Sequence, residues 1–171
     1  MRPGLRIGLL VSASVLRQEP APLRPEEALP KAVAPQPVAF SHRLHGEKAG
    51  LGCDFCHSGA TKGDAATLPP VDLCLTCHRV IKTDSVEVAK LVGAAEKGER
   101  IRWVPVYRIP DYVFFGHAPH VRAGLDCGSC HGPVANRDVL QKEVSTSMAA
   151  CLDCHRLRDA PQSCVACHQL G

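Results

Sequence analysis

The stretch Phe115-Gly116-His117-Ala118-Pro119-His120-Val121-Arg122-Ala123-Gly124-Leu125-Asp126-Cys127-Gly128-Ser129-Cys130-His131 holds both patterns from which the rest of the chain is built. One is F-x-H-x-x-H and the other is C-x-x-C-H. The second recurs without exception: all ten cysteines fall into five C-x-x-C pairs, each followed at once by histidine, giving Cys53/Cys56/His57, Cys74/Cys77/His78, Cys127/Cys130/His131, Cys151/Cys154/His155 and Cys164/Cys167/His168. C-x-x-C-H is the attachment sequence of c-type haem, because the two thiols add to the two vinyl groups of one porphyrin and the adjacent imidazole is then held under the iron as its proximal ligand. Five motifs call for five covalent haem c groups. Structural zinc would pair the C-x-x-C units and leave one of the five unmatched, and neither zinc nor disulfides give a reason for the trailing histidines.

The nine histidines leave four outside these motifs, His42, His45, His117 and His120. A low-spin electron-transfer haem needs a second axial ligand, so five haems need five more ligands. The four spare histidines lie in the two copies of F-x-H-x-x-H, Phe40-Ser41-His42-Arg43-Leu44-His45 and Phe115-Gly116-His117-Ala118-Pro119-His120, each a short way before a C-x-x-C-H motif. They are expected to be distal ligands. Methionine is the other common axial partner, and of Met1 and Met148 only Met148 stands close to a motif, three residues before Cys151. Met148 completes ten ligands for ten axial positions; without it, the fifth haem is open or bound by a lysine.

The duplication extends further, since Lys48-Ala49-Gly50-Leu51-Gly52-Cys53 matches Arg122-Ala123-Gly124-Leu125-Asp126-Cys127, and Cys74-Leu75-Thr76-Cys77-His78-Arg79 matches Cys151-Leu152-Asp153-Cys154-His155-Arg156. Two modules follow, a two-haem module over 40–80 and a three-haem module over 115–171. Between them, residues 81–114 form a connector. Asp84 with Glu87 reads as a capping box opening a short helix through Val88, Leu91, Val92 and Ala95 that ends near Gly98. Ile101 to Pro110, with Pro105 and Pro110 among branched residues, reads as extended or edge-strand chain. Trp103 and Tyr107 in it either dock a partner or cover a haem edge.

Only seven side chains are aromatic, 4% of the chain, so the usual bulky core-fillers are missing. Residues 40–171 give about 26 residues per haem, too few to build an apolar core around each. The haems must be the core, and folding must depend on their attachment. The expected fold is mostly irregular, with short α-helices carrying the motifs.

No window approaches the roughly 18 consecutive apolar residues of a membrane span. Arg2 and Arg6 followed by the ten mostly apolar residues Ile7 to Leu16 fit a signal peptide or a short N-terminal anchor over 1–18, and imply export to the periplasm. Residues 19–39 are proline-rich, with six prolines between Pro20 and Pro37, and read as an extended tether. The net charge of +3 is scattered, which excludes a nucleic-acid footprint. Each oxidised haem adds about −1 through its propionates, so the body becomes acidic once five are counted.

With these motifs in hand, the sequence resembles the class III multihaem cytochromes c, small haem-packed proteins with F-x-H-x-x-H upstream of C-x-x-C-H. Residues 115–168 look like a complete three-haem member. The resemblance implies that His117 caps the haem of His131 and His120 that of His155. It also places Met148, where that family has histidine, opposite His168, giving that haem the highest potential. The chain is also similar to the pentahaem cytochrome c subunits of alternative complex III, a membrane quinol-oxidising assembly. That likeness runs through Ile109 to Val113 into Phe115, His117 and His120, then Gly124 to Val134, then Ser147-Met148 before Cys151. It implies an electron carrier without catalytic residues at the periplasmic face of the inner membrane. Its partners would be subunits of a quinol-oxidising complex and a downstream cytochrome or oxidase, with the membrane reached through those partners or a short anchor. The rival expectations are a free periplasmic shuttle and a multihaem reductase with one open haem.

Overall fold

The computed structural model describes Val33 and residues 35–168. The expected signal segment and most of the expected tether lie outside them. Eight short α-helices are present among the described residues: α1 (His42–Glu47), α2 (Cys53–Cys56), α3 (Val71–His78), α4 (Val86–Glu96), α5 (His117–Arg122), α6 (Gly128–His131), α7 (Met148–Leu157) and α8 (Cys164–Cys167). Two 3₁₀ turns, Ser58–Thr61 and Val134–Asn136, follow the first and third motifs. Among the described residues, β pairing is confined to an isolated bridge between Val113 and His168. None of the helices is long and apolar enough to cross a membrane.

The helices are where the cysteine motifs require them. Two thiols three residues apart face the same way only on a helical turn, and each C-x-x-C pair sits on one or at its start, with Cys127 as the N-cap of α6. Serines begin several of them. Ser41 Oγ accepts from Leu44 N at 3.0 Å at the start of α1, and Ser147 Oγ accepts from Ala150 N at 3.3 Å at the start of α7.

In both repeats a glycine in the left-handed region stops the helix that carries the F-x-H-x-x-H histidines and returns the chain toward its motif: Gly50 at φ +66° after α1 and Gly124 at φ +74° after α5. The reversal is closed by Leu51 N donating to His45 O at 3.1 Å and Leu125 N to His120 O at 3.2 Å. A side chain with a Cβ would strain this turn in either copy.

The polypeptide alone has little apolar core. Five apolar side chains are buried among the described residues, Val38, Leu75, Val88, Leu91 and Ala118. Val38, Leu75 and Leu91 form one cluster where α3 packs on α4, joined by Val71, Cys74, Ala95, Ile101 and Trp103.

Two sequence expectations are corrected here, and a third is resolved toward the non-ladder of its two alternatives. The connector helix forms, but its cap is Ser85 rather than Asp84, with Ser85 Oγ accepting from Glu87 N at 3.2 Å. This shift moves Glu87 off the position from which it could reach back to the cap. Its carboxylate instead accepts from Ala39 N at 2.7 Å and pairs with Lys90 at 2.8 Å. The last residues of the proline-rich segment are therefore packed rather than a free tether: Val38 is buried, and Lys90 Nζ donates to Pro37 O at 3.2 Å. Third, the segment 101–110 joins no strand ladder. The Gln36 side chain takes the place of a neighbouring strand, donating to Val104 O at 2.8 Å and accepting from Val104 N at 2.9 Å.

The two modules hold each other by exchange. α1 packs on the 3₁₀ turn that follows the third motif, with Arg43 N donating to Arg137 O at 3.0 Å. α5 packs on the turn that follows the first, with His117 N donating to Asp64 O at 3.1 Å and Ala118 N to Gly63 O at 3.0 Å. The repeat in sequence thus becomes a reciprocal contact, the F-x-H-x-x-H helix of each half resting on the other's post-motif loop.

Candidate haem-binding sites

The described histidine rings meet in facing twos. His117 and His131 have ring centres 6.3 Å apart with planes 6° from parallel; His120 and His155 are 6.1 Å apart at 40°, and His45 and His78 are 6.0 Å apart at 59°. A metal ion about 2 Å from one nitrogen of each of two facing imidazoles puts the ring centres about 6 Å apart. These separations fit one iron between each pair. No three His, Cys, Asp or Glu side chains among the described residues converge as a bare ion would need.

Hydrogen bonding settles which nitrogen is free. In His45, His57, His78, His117, His120, His155 and His168, Nδ1 lies 2.5–3.1 Å from a backbone carbonyl, of Ser41, Thr67, Ile81, Asp64, Gly116, Pro161 and Tyr112 respectively. A carbonyl cannot donate, so Nδ1 carries the proton and Nε2 presents its lone pair. This is the outer-sphere arrangement that orients a metal-ligating imidazole and raises its basicity.

His42 and His131 have no such carbonyl contact, and His42 is the more enclosed of the two at this atom. Its Nδ1 is buried with no partner, and burial, with His57 and His45 beside it, lowers its pKa to about 4. His131 is lowered as well, by burial first and then by His117 and His57. Both rings are thus held neutral, the form that binds metal.

Each F-x-H-x-x-H phenylalanine sets two rings at once. Phe40 stands edge-on to His42 at 4.8 Å and stacks on His45 at 4.2 Å, and Phe115 stands edge-on to His117 at 4.8 Å and lies 4.8 Å from His120 at 31°. The shared ring spaces two histidines three residues apart so that each turns toward a different partner.

None of the ten cysteines is paired in a disulfide, and each is exposed or half-buried. Burial raises Cys56, Cys74, Cys127, Cys130 and Cys151 above the ordinary thiol value, and neighbouring thiols of other motifs add to it: Cys56 beside Cys74, Cys53 beside Cys127, Cys154 beside Cys130, and Cys130 and Cys167 beside Cys151. Thiols of different motifs therefore lie near one another.

Of the expected axial residues, the fold faces His45 to His78, His117 to His131 and His120 to His155, and sets His42 beside His57. It does not bring Met148 to His168 in the same way. Met148 opens α7 with 63% of its surface exposed, and the aromatic neighbour of His168 is Tyr112, 6.0 Å away and nearly parallel.

Two further residues support the sites. Tyr107 lies 4.8 Å edge-on to His131, its hydroxyl donating to His131 O at 3.2 Å and accepting from Glu143 N at 3.0 Å and Val144 N at 3.2 Å. Trp103 packs in the small core and meets Phe40 edge-on at 6.3 Å. Both face inward, Trp103 against the small core and Tyr107 against the third motif. The carbonyl acceptors had no sequence signal, since a backbone oxygen is the same at every residue.

Residues 113–169 match the family model described as cytochrome c7 and related cytochrome c. The menaquinone reductase multiheme cytochrome c subunit of Nitratidesulfovibrio vulgaris is 29% identical to the chain over 161 residues, covering 78% of this chain and 77% of that protein.

Proposed function

Starting from a multihaem c-type cytochrome with a cytochrome c7-type domain over 113–169, we propose that the chain carries five covalent haems and conducts single electrons along them for a quinone-linked respiratory complex. Haem c supplies one-electron iron redox chemistry when bound. The residues of the chain do the rest. The ten motif cysteines anchor the porphyrin edges, His57, His78, His131, His155 and His168 are proximal ligands, and His42, His45, His117, His120 and Met148 are distal. The observation that carries this is the set of facing imidazoles about 6 Å apart with Nδ1 committed to backbone carbonyls.

The partner reading is a membrane quinol-oxidising complex at the periplasmic face, with a downstream cytochrome or oxidase as acceptor. The name of the relative, a menaquinone reductase subunit, favours a second reading in which electrons run toward quinone instead. The wire would be the same, and the direction would be set by its partners.

The test is to tag the chain at Gly171, purify it gently from native membranes, weigh it intact and identify what accompanies it. Five haems and a polytopic quinone-binding subunit support the proposal. Fewer than five covalent haems would falsify the ligand scheme, and recovery alone in the soluble fraction would make it a diffusing shuttle. Carbon monoxide binding by the reduced wild type would point to an open haem and a reductase. If the purified complex reduces quinone but does not oxidise quinol, the second reading holds.

A further inference from the structure

We infer that four of the haem-binding sites follow one another through space in the order His78, His57, His131, His155, so that the site of the first motif lies inside the row and the halves meet where α5 docks on the loop after His57. The inference rests on the haem occupancy proposed above and adds the connectivity of the wire, which the order of motifs along the chain does not give.

Within each module the shared helix decides the neighbours. His42 and His45 are three residues apart on α1, so their side chains share a face. The first lies beside His57 and the second faces His78, which makes those two sites adjacent. His117 and His120 on α5 do the same for the sites of His131 and His155.

The exchange between modules decides the junction. Every hydrogen bond among the described residues that crosses from 115–168 to 40–80 ends at Ser41, Arg43, Gly63 or Asp64. These positions flank the His42/His57 pair, and none belongs to α3, which carries His78. One bond is itself part of a site: His117 Nδ1, whose ring faces His131, donates at 2.6 Å to the carbonyl of Asp64, in the loop that follows His57. The third site is therefore clamped to the first, and the second is left on the far side of α1. The sulfurs agree. The Cys127 thiol lies near Cys53, and the Cys56 thiol near Cys74.

The fifth motif is tied down by Phe114 N donating to Cys167 O at 2.7 Å and by the Val113–His168 bridge.

Reduction of one haem adds negative charge and lowers the midpoint of its nearest neighbours most. His117→Met in the holoprotein raises the potential of the His131 haem so that it reduces early, and NMR redox titration then resolves the remaining haems one by one. The expected result is a larger downward shift at the His57 haem than at the His78 haem. A larger shift at the His78 haem would overturn the inference and restore motif order. His42→Met decides the same question independently: the haems of both His78 and His131 should move, and a shift confined to His78 would overturn it. Each variant is weighed intact first. A wild-type mass short of five haems sinks the occupancy reading, whereas five haems with the wrong neighbour sinks this inference alone.

Discussion

Arg43 and Asp138 stand 95 residues apart in the chain and are joined by a forked ion pair, with Arg43 Nε 3.1 Å and Nη2 2.9 Å from Oδ2, while the Ser41 hydroxyl donates to the same carboxylate at 2.5 Å. The Ser41 hydroxyl and then Arg43 hold the Asp138 carboxyl below its ordinary range. A lowered folded-state pKa gives stability that is present above the ordinary carboxylate value, about 3.9, and is lost as pH falls through the folded value. The wild-type module junction should therefore loosen below about pH 4, and Asp138→Asn should be weaker at pH 7 and lose less on acidification than the wild type, with Glu87 and Glu143, held low by Lys90 and Arg137, supplying the remaining acid slope. Both groups are solvent-exposed, so the effect is small and shrinks with added salt. Urea midpoints at pH 7 and at pH 3.5 check it; a variant that keeps the wild-type acid slope would assign the loosening elsewhere.

The three measured ring pairs differ in twist. Nearly parallel imidazoles split the iron d orbitals more strongly than crossed ones, so the His117–His131 site, at 6°, should give the most rhombic low-spin ferric signal. The His45–His78 site, at 59°, should give a larger maximum g value. Electron paramagnetic resonance of the oxidised protein, with His117→Met to identify one signal by its loss, reads this directly.

Met148 is a proposed ligand that the fold leaves exposed. Methionine ligation raises haem potential, so Met148→His should lower the highest midpoint of the protein and Met148→Ala should let the reduced protein bind carbon monoxide. If both variants keep the wild-type titration curve and remain closed to carbon monoxide, the sixth ligand of the His168 haem is another group.

The Tyr107 hydroxyl serves three backbone groups around the third motif. Tyr107→Phe leaves the Glu143 and Val144 amides without their acceptor, at a cost of about 1–3 kcal/mol. The haem count should stay at five while the thermal midpoint falls. An unchanged midpoint would mean that water replaces the hydroxyl.

Leu75 is 3% exposed and packs with Val38 and Leu91 where α3 meets α4. Leu75→Ala should cost about 2–5 kcal/mol, a large share for a chain whose apolar core is so small. Denaturation by urea measures it, and a loss well under that range would show the site collapsing around the smaller side chain.

What the sequence made legible is what covalent chemistry demands of side chains. C-x-x-C-H has to be spelled out because thiols and imidazole are irreplaceable there, and F-x-H-x-x-H because one ring must space two others. The short helices followed from the same spacing. What stayed hidden was done by backbone. The carbonyls of Thr67, Ile81 and Pro161 that hold Nδ1 of His57, His78 and His155 carry no residue signature. The reciprocal docking of α1 and α5 depends on loops that any polar sequence could form. The cap at Ser85 was misread by one position because Asp84 and Ser85 are both good N-caps, and the partner of Glu87 at Ala39 is a tertiary contact.

The exchange of helices between modules also bears on the order of assembly. Synthesis proceeds from the N-terminus, so Cys53 and Cys74 are available for haem attachment before Arg137 and Asp138 exist to brace α1. A chain stopped at residue 114 would own the ligands of its first two haems and lack the clamp that holds them. The first half therefore reaches its final packing only once Arg137, Asp138 and α5 are in place.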